Sequence, residues 1–180
     1  MNVDAEFTIS QVLPKDTISD GSNQAYFEAV IGPLMPALLA YFVRRVVPSH
    51  EGADCLSETL VVLWNERRKL PADESSRRSW AFGVARNILL NHRRGHVRRQ
   101  MLANRIRDEI LVTPLRHPAE GAGELIDSLT ALPDTQRELV QLIIWDGFGV
   151  AEAGALIGLR PGTARAAYAR AKKHLRKVLP

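Results

Sequence analysis

The segment "VAEAGALIGLRPGTARAAYARAKKHLRKVL", residues 150–179, constrains the fold more than any other part of the chain. A short helical pattern ends near Gly158, a three-residue turn follows, and Pro161 suits the first position of a new helix, where its missing N–H is not needed. Short helix, tight turn with glycine and longer helix is the layout of a helix-turn-helix. At about 100° per residue, Ala164, Tyr168, Ala171, Leu175 and Val178 fall on one apolar stripe of the second helix. Arg165, Arg170, Lys172, Lys173, Arg176 and Lys177 occupy the other side. A helix held down by one face and basic on the other fits the DNA major groove. There its early residues reach base edges and its later cations meet phosphates.

A second cation-rich stretch lies upstream. Residues 86–107 hold seven Arg and no acid, and residues 160–177 hold seven Lys or Arg and no acid. All 20 acidic residues therefore lie elsewhere, where they outnumber the remaining bases two to one. Solvated faces normally mix signs, so two single-sign runs on an acidic body point to a polyanionic partner.

The rest of the chain reads as helical, with apolar spacings of three and four and few β-branched runs. Residues 1–22 are polar and read as a flexible N-terminal extension. Residues 23–96 form a first helical domain, with a break expected at Gly32, Pro33 and Pro36. In it, "ADCLSETLVVLWNERRKL" is an amphipathic helix and "PADESS" is a loop with capping residues. Residues 97–123 read as a linker, in which "MLANRIRDEIL" has the pattern of a short helix, and residues 124–180 form a second domain. The expected fold class is all-α, two small helical domains joined by a linker. At 180 residues and 46% hydrophobic the chain can bury one ordinary core or two small ones.

Several classes are disfavoured. Cys55 is the only cysteine, so no internal disulfide forms, and its spacing reads as a small core residue. The five histidines are scattered, and no His, Cys and acid spacing suggests a metal or a nucleophile. His92 and His96 are four apart, but they lie in an arginine run that would repel a cation. No cofactor, metal or catalytic residue is expected. No apolar stretch is expected to approach the roughly 20 residues of a membrane helix, and the N-terminus lacks a signal-peptide pattern. The reading is thus a cytoplasmic protein without membrane insertion.

The second domain, "LPDTQRELVQLIIWDGFGVAEAGALIGLRPGTARAAYARAKKHL", resembles region four of bacterial RNA polymerase sigma factors of the extracytoplasmic-function (ECF) group. The matching residues are Leu132, Pro133, Arg137, Gly147, Glu152, Gly162, Thr163, Arg170 and Ala171. The first domain resembles region two, with Asp54, Glu58, Leu63 and Trp64 in one helix and Trp80, Ala85, Arg86 and Asn87 in the next. The resemblance implies core RNA polymerase and promoter DNA as partners, with an anti-sigma factor as a further one. Asp54, Ser57, Glu58 and Val61 would dock on a coiled coil of the polymerase's largest subunit. Trp80, Asn87, Asn91, Arg93 and Arg94 would hold the opened minus-ten strand, and Arg160, Thr163, Arg165, Ala166, Ala169, Arg170 and Lys173 would meet the minus-thirty-five duplex.

Elementary chemistry agrees with the middle assignment. On a helical wheel Trp80, Asn87, Asn91 and Arg94 cluster within about 60°, away from Ala81, Val84, Ala85 and Ile88. An aromatic ring can stack on an unpaired base, asparagine can hydrogen-bond a base edge, and the arginines can hold phosphates. Three departures from the family pattern stand out. Ser57 replaces a common glutamine, the loop Lys69–Ser79 lacks an aromatic, and Ala166, Ala167 and Ala169 stand where larger or polar residues are common, shifting base reading onto Arg165 and Arg170. A helix-turn-helix regulator acting without polymerase docking is the alternative, but it leaves the Trp80–Asn87 helix unexplained.

Overall fold

The computed structural model describes residues 16–108 and 128–178, and the regular structure among them is helical throughout. Among the described residues, those up to Pro36 form a compact unit of their own. In it α1 (Asp16–Ile31) runs into a 3-10 turn at Gly32–Leu34, with Pro33 at the start of the turn, where a missing N–H costs nothing. The break expected at these residues is present. Residues 1–15, which carry most of the expected N-terminal extension, lie outside the described residues; its last part, from Asp16, is helical.

The second unit, from Ala37 onward, contains the body of α2 (Met35–Val43), then α3 (Glu51–Asn65), a 3-10 turn at Arg67–Lys69, and α4 (Glu74–Asp108). After the segment outside the described residues come α5 (Asp134–Ile144), α6 (Val150–Leu156) and α7 (Pro161–Val178). On α3, Gly52, Cys55, Thr59 and Leu63 are buried at spacings of three and four, so one stripe faces the core. Cys55 is a core residue, as expected. Gly52 lets α3 start close to the end of α2, since a Cβ there would lie 3.2 Å from the backbone nitrogen of Val43. The Thr59 hydroxyl donates to the Cys55 carbonyl at 2.7 Å, which satisfies the one hydroxyl in the stripe.

Helix α4 starts on Asp73, whose carboxylate accepts the Ser76 amide at 2.7 Å, an N-cap of the expected kind. It then buries Ala81, Phe82, Ala85, Ile88 and Leu89. Gly95 does not end it. The helix runs on to Asp108, so the residues expected as the start of a linker, from 97 on, continue the helix as far as Asp108. A single glycine costs a helix only ~1 kcal/mol, which 35 residues of hydrogen-bonded backbone absorb.

One expectation fails outright. Asn23–Val43 is 21 residues long and holds an 18-residue window of mean hydropathy 1.5, which meets the length and composition of a membrane helix. Gly32, Pro33 and Pro36 interrupt such a segment as a helix without lowering its average hydropathy much. Leu38, Tyr41 and Phe42 from its end are fully buried in protein.

The α5–α7 bundle closes around Leu129, Leu132, Val140, Ala171 and Leu175, with Trp145 and Tyr168 packed against them. Gly147 (φ +68°) and Gly158 (φ +77°) make the two turns of this bundle, in the left-handed region that glycine enters without strain. Gly154 brings α6 onto α7, because a Cβ there would stand 2.5 Å from the Ala164 Cβ. Gly154→Ala is therefore expected to lower stability by ~1–3 kcal/mol through overpacking, while Gly162→Ala, where a Cβ meets nothing within 4 Å, stays within ~0.5 kcal/mol of the parent. Urea unfolding of both variants checks this; equal midpoints would refute the close contact.

Candidate nucleic-acid and polymerase interfaces

Helix α7 separates its two faces cleanly. Ala164, Ala167, Ala171 and Leu175 are buried and Tyr168 is half-buried, whereas Arg165, Ala166, Ala169, Arg170, Lys172, Lys173, Arg176 and Lys177 are exposed. Arg160 and Thr163, at and just after the turn, are exposed as well. Ala167, at 4% exposure, belongs to the core, so its small side chain serves packing. Val150 from α6 joins Arg165, Tyr168, Ala169, Lys172, Lys173, Arg176 and Lys177 around an open groove of about 600 Å³. The Lys172 ammonium lies 5.6 Å from the Tyr168 ring centre, a cation–π distance. The groove thus has an apolar floor and a rim of one charge sign, suited to a polyanion.

On α4 the wheel pattern is realised. Asn87, Asn91 and Arg94 are exposed and Trp80 is half-buried along one stripe, away from the buried Ala81, Ala85 and Ile88, while Arg93, also exposed, lies about 20° around the helix from Arg86. Arg94 donates to the Asn91 side-chain oxygen at 2.9 Å and to the Leu90 carbonyl at 3.3 Å, which holds both side chains in place along the helix. On α3, Asp54, Ser57 and Glu58 are exposed, and Val61 is 58% exposed. The Ser57 hydroxyl donates to the Ala53 carbonyl at 3.0 Å. Acids flanking an exposed valine form a mixed acidic and apolar face. His92 Nε2 meets Glu51 Oε2 at 2.6 Å, fastening α4 to the start of α3 and holding the Glu51 carboxyl below its ordinary range. His92 is thus held by an acid, and among the described residues no group of His, Cys, Asp and Glu could hold a metal.

Sequence reasoning missed a third set of residues. Arg86 was read only as part of a motif, yet it makes a two-point ion pair with Glu138 of α5, at 2.7 and 3.2 Å. Arg45 and Asp146, both nearly without exposure, pair at 2.6 Å. Arg44 lies 3.6 Å from the same carboxylate, and Arg78 donates to the Asp146 carbonyl. Phe82 of α4 packs edge-on against Phe148 at 4.9 Å, and the Arg78 guanidinium lies 4.2 Å from the Phe148 ring centre. Burial pushes the Asp146 carboxyl up, against the pull of Arg45, Arg44 and Arg78. The signal available in the sequence was Arg45 at the end of the apolar run "ALLAYFVRR", a charge where the pattern buries its neighbours.

Comparison with known proteins gives these surfaces a family. Residues 32–99 match the family model of sigma-70 region 2, and residues 122–175 match that of sigma-70 region 4. The ECF RNA polymerase sigma factor SigF of Caulobacter vibrioides is 35% identical over 157 residues, covering 87% of this chain and 86% of the relative. The solved sigma factor RpoE, in complex with the anti-sigma factor NepR from Bartonella quintana, covers 86% of this chain and 96% of its own, with a TM-score of 0.64 at 24% identity. CnrH, in complex with the cytosolic domain of CnrY, gives a TM-score of 0.61 at 20% identity over 90% of this chain and 92% of its own. The two structural matches speak for the all-helical fold. The chain belongs to the ECF RNA polymerase sigma factors. It is a transcription initiation factor that partners core RNA polymerase and promoter DNA, and the family favours this over a regulator independent of polymerase.

The cap on α4 fixes where the Trp80 turn begins, and its chemistry can be followed with pH. Hydrogen bonding from Ser76, then from Ser75, lowers the Asp73 carboxyl to about 2. A carboxyl whose folded value is depressed stabilises fully above its unfolded value near ~4 and loses that contribution as pH falls toward 2. Asp73→Ala is therefore expected to melt below the parent at neutral pH, with the gap narrowing as pH falls below about 4. Thermal midpoints of both chains across that range check it; a gap independent of pH would mean that the cap is not ionic.

Proposed function

We propose that this sigma factor divides its work among three surfaces. The face of α3 bearing Asp54, Ser57, Glu58 and Val61 docks on core polymerase. The α4 stripe Trp80, Asn87, Asn91 and Arg94, with Arg93 further round the helix, holds the opened minus-ten strand. The outer face of α7, with Arg160, Thr163, Arg165, Ala166, Ala169, Arg170 and Lys173, lies along the minus-thirty-five duplex. The first domain is residues 23–96 extended along α4, and the second is residues 124–180. The protein carries out no bond chemistry and acts in the cytoplasm. The structurally similar RpoE is in complex with the anti-sigma factor NepR, and an anti-sigma partner for this chain follows by analogy.

One observation carries the reading. Two exposed cationic surfaces, one bearing Trp80 with two asparagines and the other bearing no side-chain amide, sit on separate helices of one chain. The first has the parts for unpaired bases, the second the parts for intact duplex. Binding strands in their separated form supplies the free energy of opening. Trp80→Ala and Asn87→Ala should therefore depress run-off transcription from a linear duplex promoter far more than from a template already mismatched across the minus-ten region. Equal losses on both templates would make these residues structural.

On α7 the two kinds of contact separate. Arg165 lies in the first turns, within reach of base edges, and Lys173 lies two turns further on, among phosphates. An Arg–guanine pair contributes ~1–3 kcal/mol of discrimination, whereas a phosphate contact adds affinity for any sequence. Arg165→Ala should flatten the base preference at minus-thirty-five. Lys173→Ala should weaken all sequences alike and reduce the slope of log affinity against log salt by about 0.9. Base-substitution profiles of the holoenzyme at several salt concentrations measure both; an unchanged profile for Arg165→Ala would move the reading to Arg170.

A further inference from the structure

The outer face of α7 carries no hydrogen-bonding side chain along the centre of its first turns. At about 100° per residue, Ala169 lies about 40° and Ala166 about 100° round the helix from Arg165, with Arg170 about 140° round on the far side. Gly162 falls on the same central line, about 60° from Arg165. The two alanines and the glycine are exposed, and a Cβ on Gly162 would meet nothing within 4 Å. Ala169 also joins Val150 and Tyr168 in the apolar floor of the neighbouring groove. The leading edge of α7 is thus methyl groups and bare backbone, bracketed by two exposed guanidinium groups, and Lys173 takes up the line one turn after Ala169.

Such a ridge discriminates between base edges. In the major groove guanine, cytosine and adenine present ring nitrogens, carbonyl oxygens or amino groups, and only thymine presents a methyl group. An alanine pressed against a donor or acceptor removes its water without replacing the hydrogen bond, which is unfavourable. Pressed against the thymine methyl, it takes apolar surface of both groups from water, which is favourable. Side chains three apart on a helix stand ~5–6 Å apart. Neighbouring base pairs are ~3.4 Å apart along the axis and further apart at the groove edge because the duplex twists, so the two alanines match two successive pairs. A helix without long side chains on its leading edge also enters a groove only ~12 Å wide more deeply, which brings the alanines into contact range. We propose that Ala166 and Ala169 read the 5-methyl groups of thymines at two neighbouring base pairs of the minus-thirty-five element, flanked by the contacts of Arg165 and Arg170. The proposal rests on the assignment of α7 to that duplex made above. The alanines are reading positions in their own right, not gaps left to the arginines.

The test uses the full chain assembled with core polymerase, on promoter duplexes whose minus-thirty-five element has been located by base substitution. Thymines of the element are replaced one at a time by deoxyuridine, which removes the methyl group and leaves the pairing edge unchanged. At two neighbouring base pairs the replacement should weaken binding about threefold to fourfold, the effect of taking one methyl group out of an apolar contact. At the same pairs 5-methylcytosine opposite guanine should bind about threefold to fourfold better than cytosine. Ala166→Gln and Ala169→Gln, both at exposed positions that leave the core untouched, each fill the space of one methyl contact with an amide suited to adenine. Each should bring the thymine-to-uracil ratio at its own base pair close to one. Lys173→Ala should weaken thymine and uracil duplexes alike and leave the ratio at its parental value. Uracil that binds as tightly as thymine at every position, or an element without neighbouring A·T pairs, overturns the methyl reading. So does a ratio that both glutamine variants leave intact, because the methyl group would then act through the shape of the duplex. A base profile flattened by Arg165→Ala while uracil equals thymine removes the methyl reading alone. A profile indifferent to Arg165→Ala and to both glutamine variants removes the assignment of α7 to the duplex, and the proposal with it.

Discussion

Three arginines of the first helices converge on Asp146, a single buried carboxylate in the turn between α5 and α6. Arg45 bonds its side chain, Arg44 approaches the same carboxylate, and Arg78 bonds its main-chain carbonyl. Arg45 also lies 4.0 Å from the Tyr41 ring centre and donates to the Tyr41 carbonyl, so the cation is held by aromatic, main-chain and carboxylate groups at once. Tyr41 in turn stacks edge-on against Phe82, and Phe82 against Phe148. Aromatic pairs of this kind contribute ~0.5–1.5 kcal/mol each beyond their area burial. The orientation of the α5–α7 bundle on α4 depends on this chain of contacts. A buried ion pair adds little net stability once desolvation is counted, but removing one member strands a charge and costs about 3–5 kcal/mol. The pair thus selects one docking geometry more than it strengthens it.

That geometry divides α4 into faces with different work. Ala81, Ala85 and Ile88 are buried, Arg78, Phe82 and Arg86 meet the second bundle, and Asn87, Asn91 and Arg94 look outward. Arg86 and Asn87 are neighbours in sequence but point about 100° apart on the helix, so one can be spent on an internal acid while the next stays available to DNA. The first basic run therefore has members with two fates. Arg86 neutralises Glu138 inside the protein, and Arg93, Arg94, Arg98 and Arg99 stay exposed.

Much of this was legible in the sequence. The helix-turn-helix followed from Gly158, Pro161 and the stripe through Ala164, Ala171 and Leu175, because local backbone preference and helical period both act within a few residues. The outward placement of Asn87, Asn91 and Arg94 followed from the same period. Among Ala166, Ala167 and Ala169 only Ala167 is buried, and a poly-alanine stretch carries no polarity by which to find that boundary between faces. The continuation of α4 past Gly95 was missed since one glycine weakens a helix without ending it. The pairing of Arg45 with Asp146 spans 101 positions, and no local rule matches a cation to an acid at that separation.

The choice of charge over apolar surface at the contact between the bundles has a thermodynamic logic. Apolar area taken from water stabilises a closed state by ~25 cal/mol per Å², and nothing returns that free energy when the surfaces separate. An ion pair behaves differently, because the Coulomb attraction lost on opening is largely offset by rehydration of both groups. The half-exposed Arg86–Glu138 arm is already partly wetted and is screened by salt, whereas the Arg45–Asp146 arm is dry and insensitive to it.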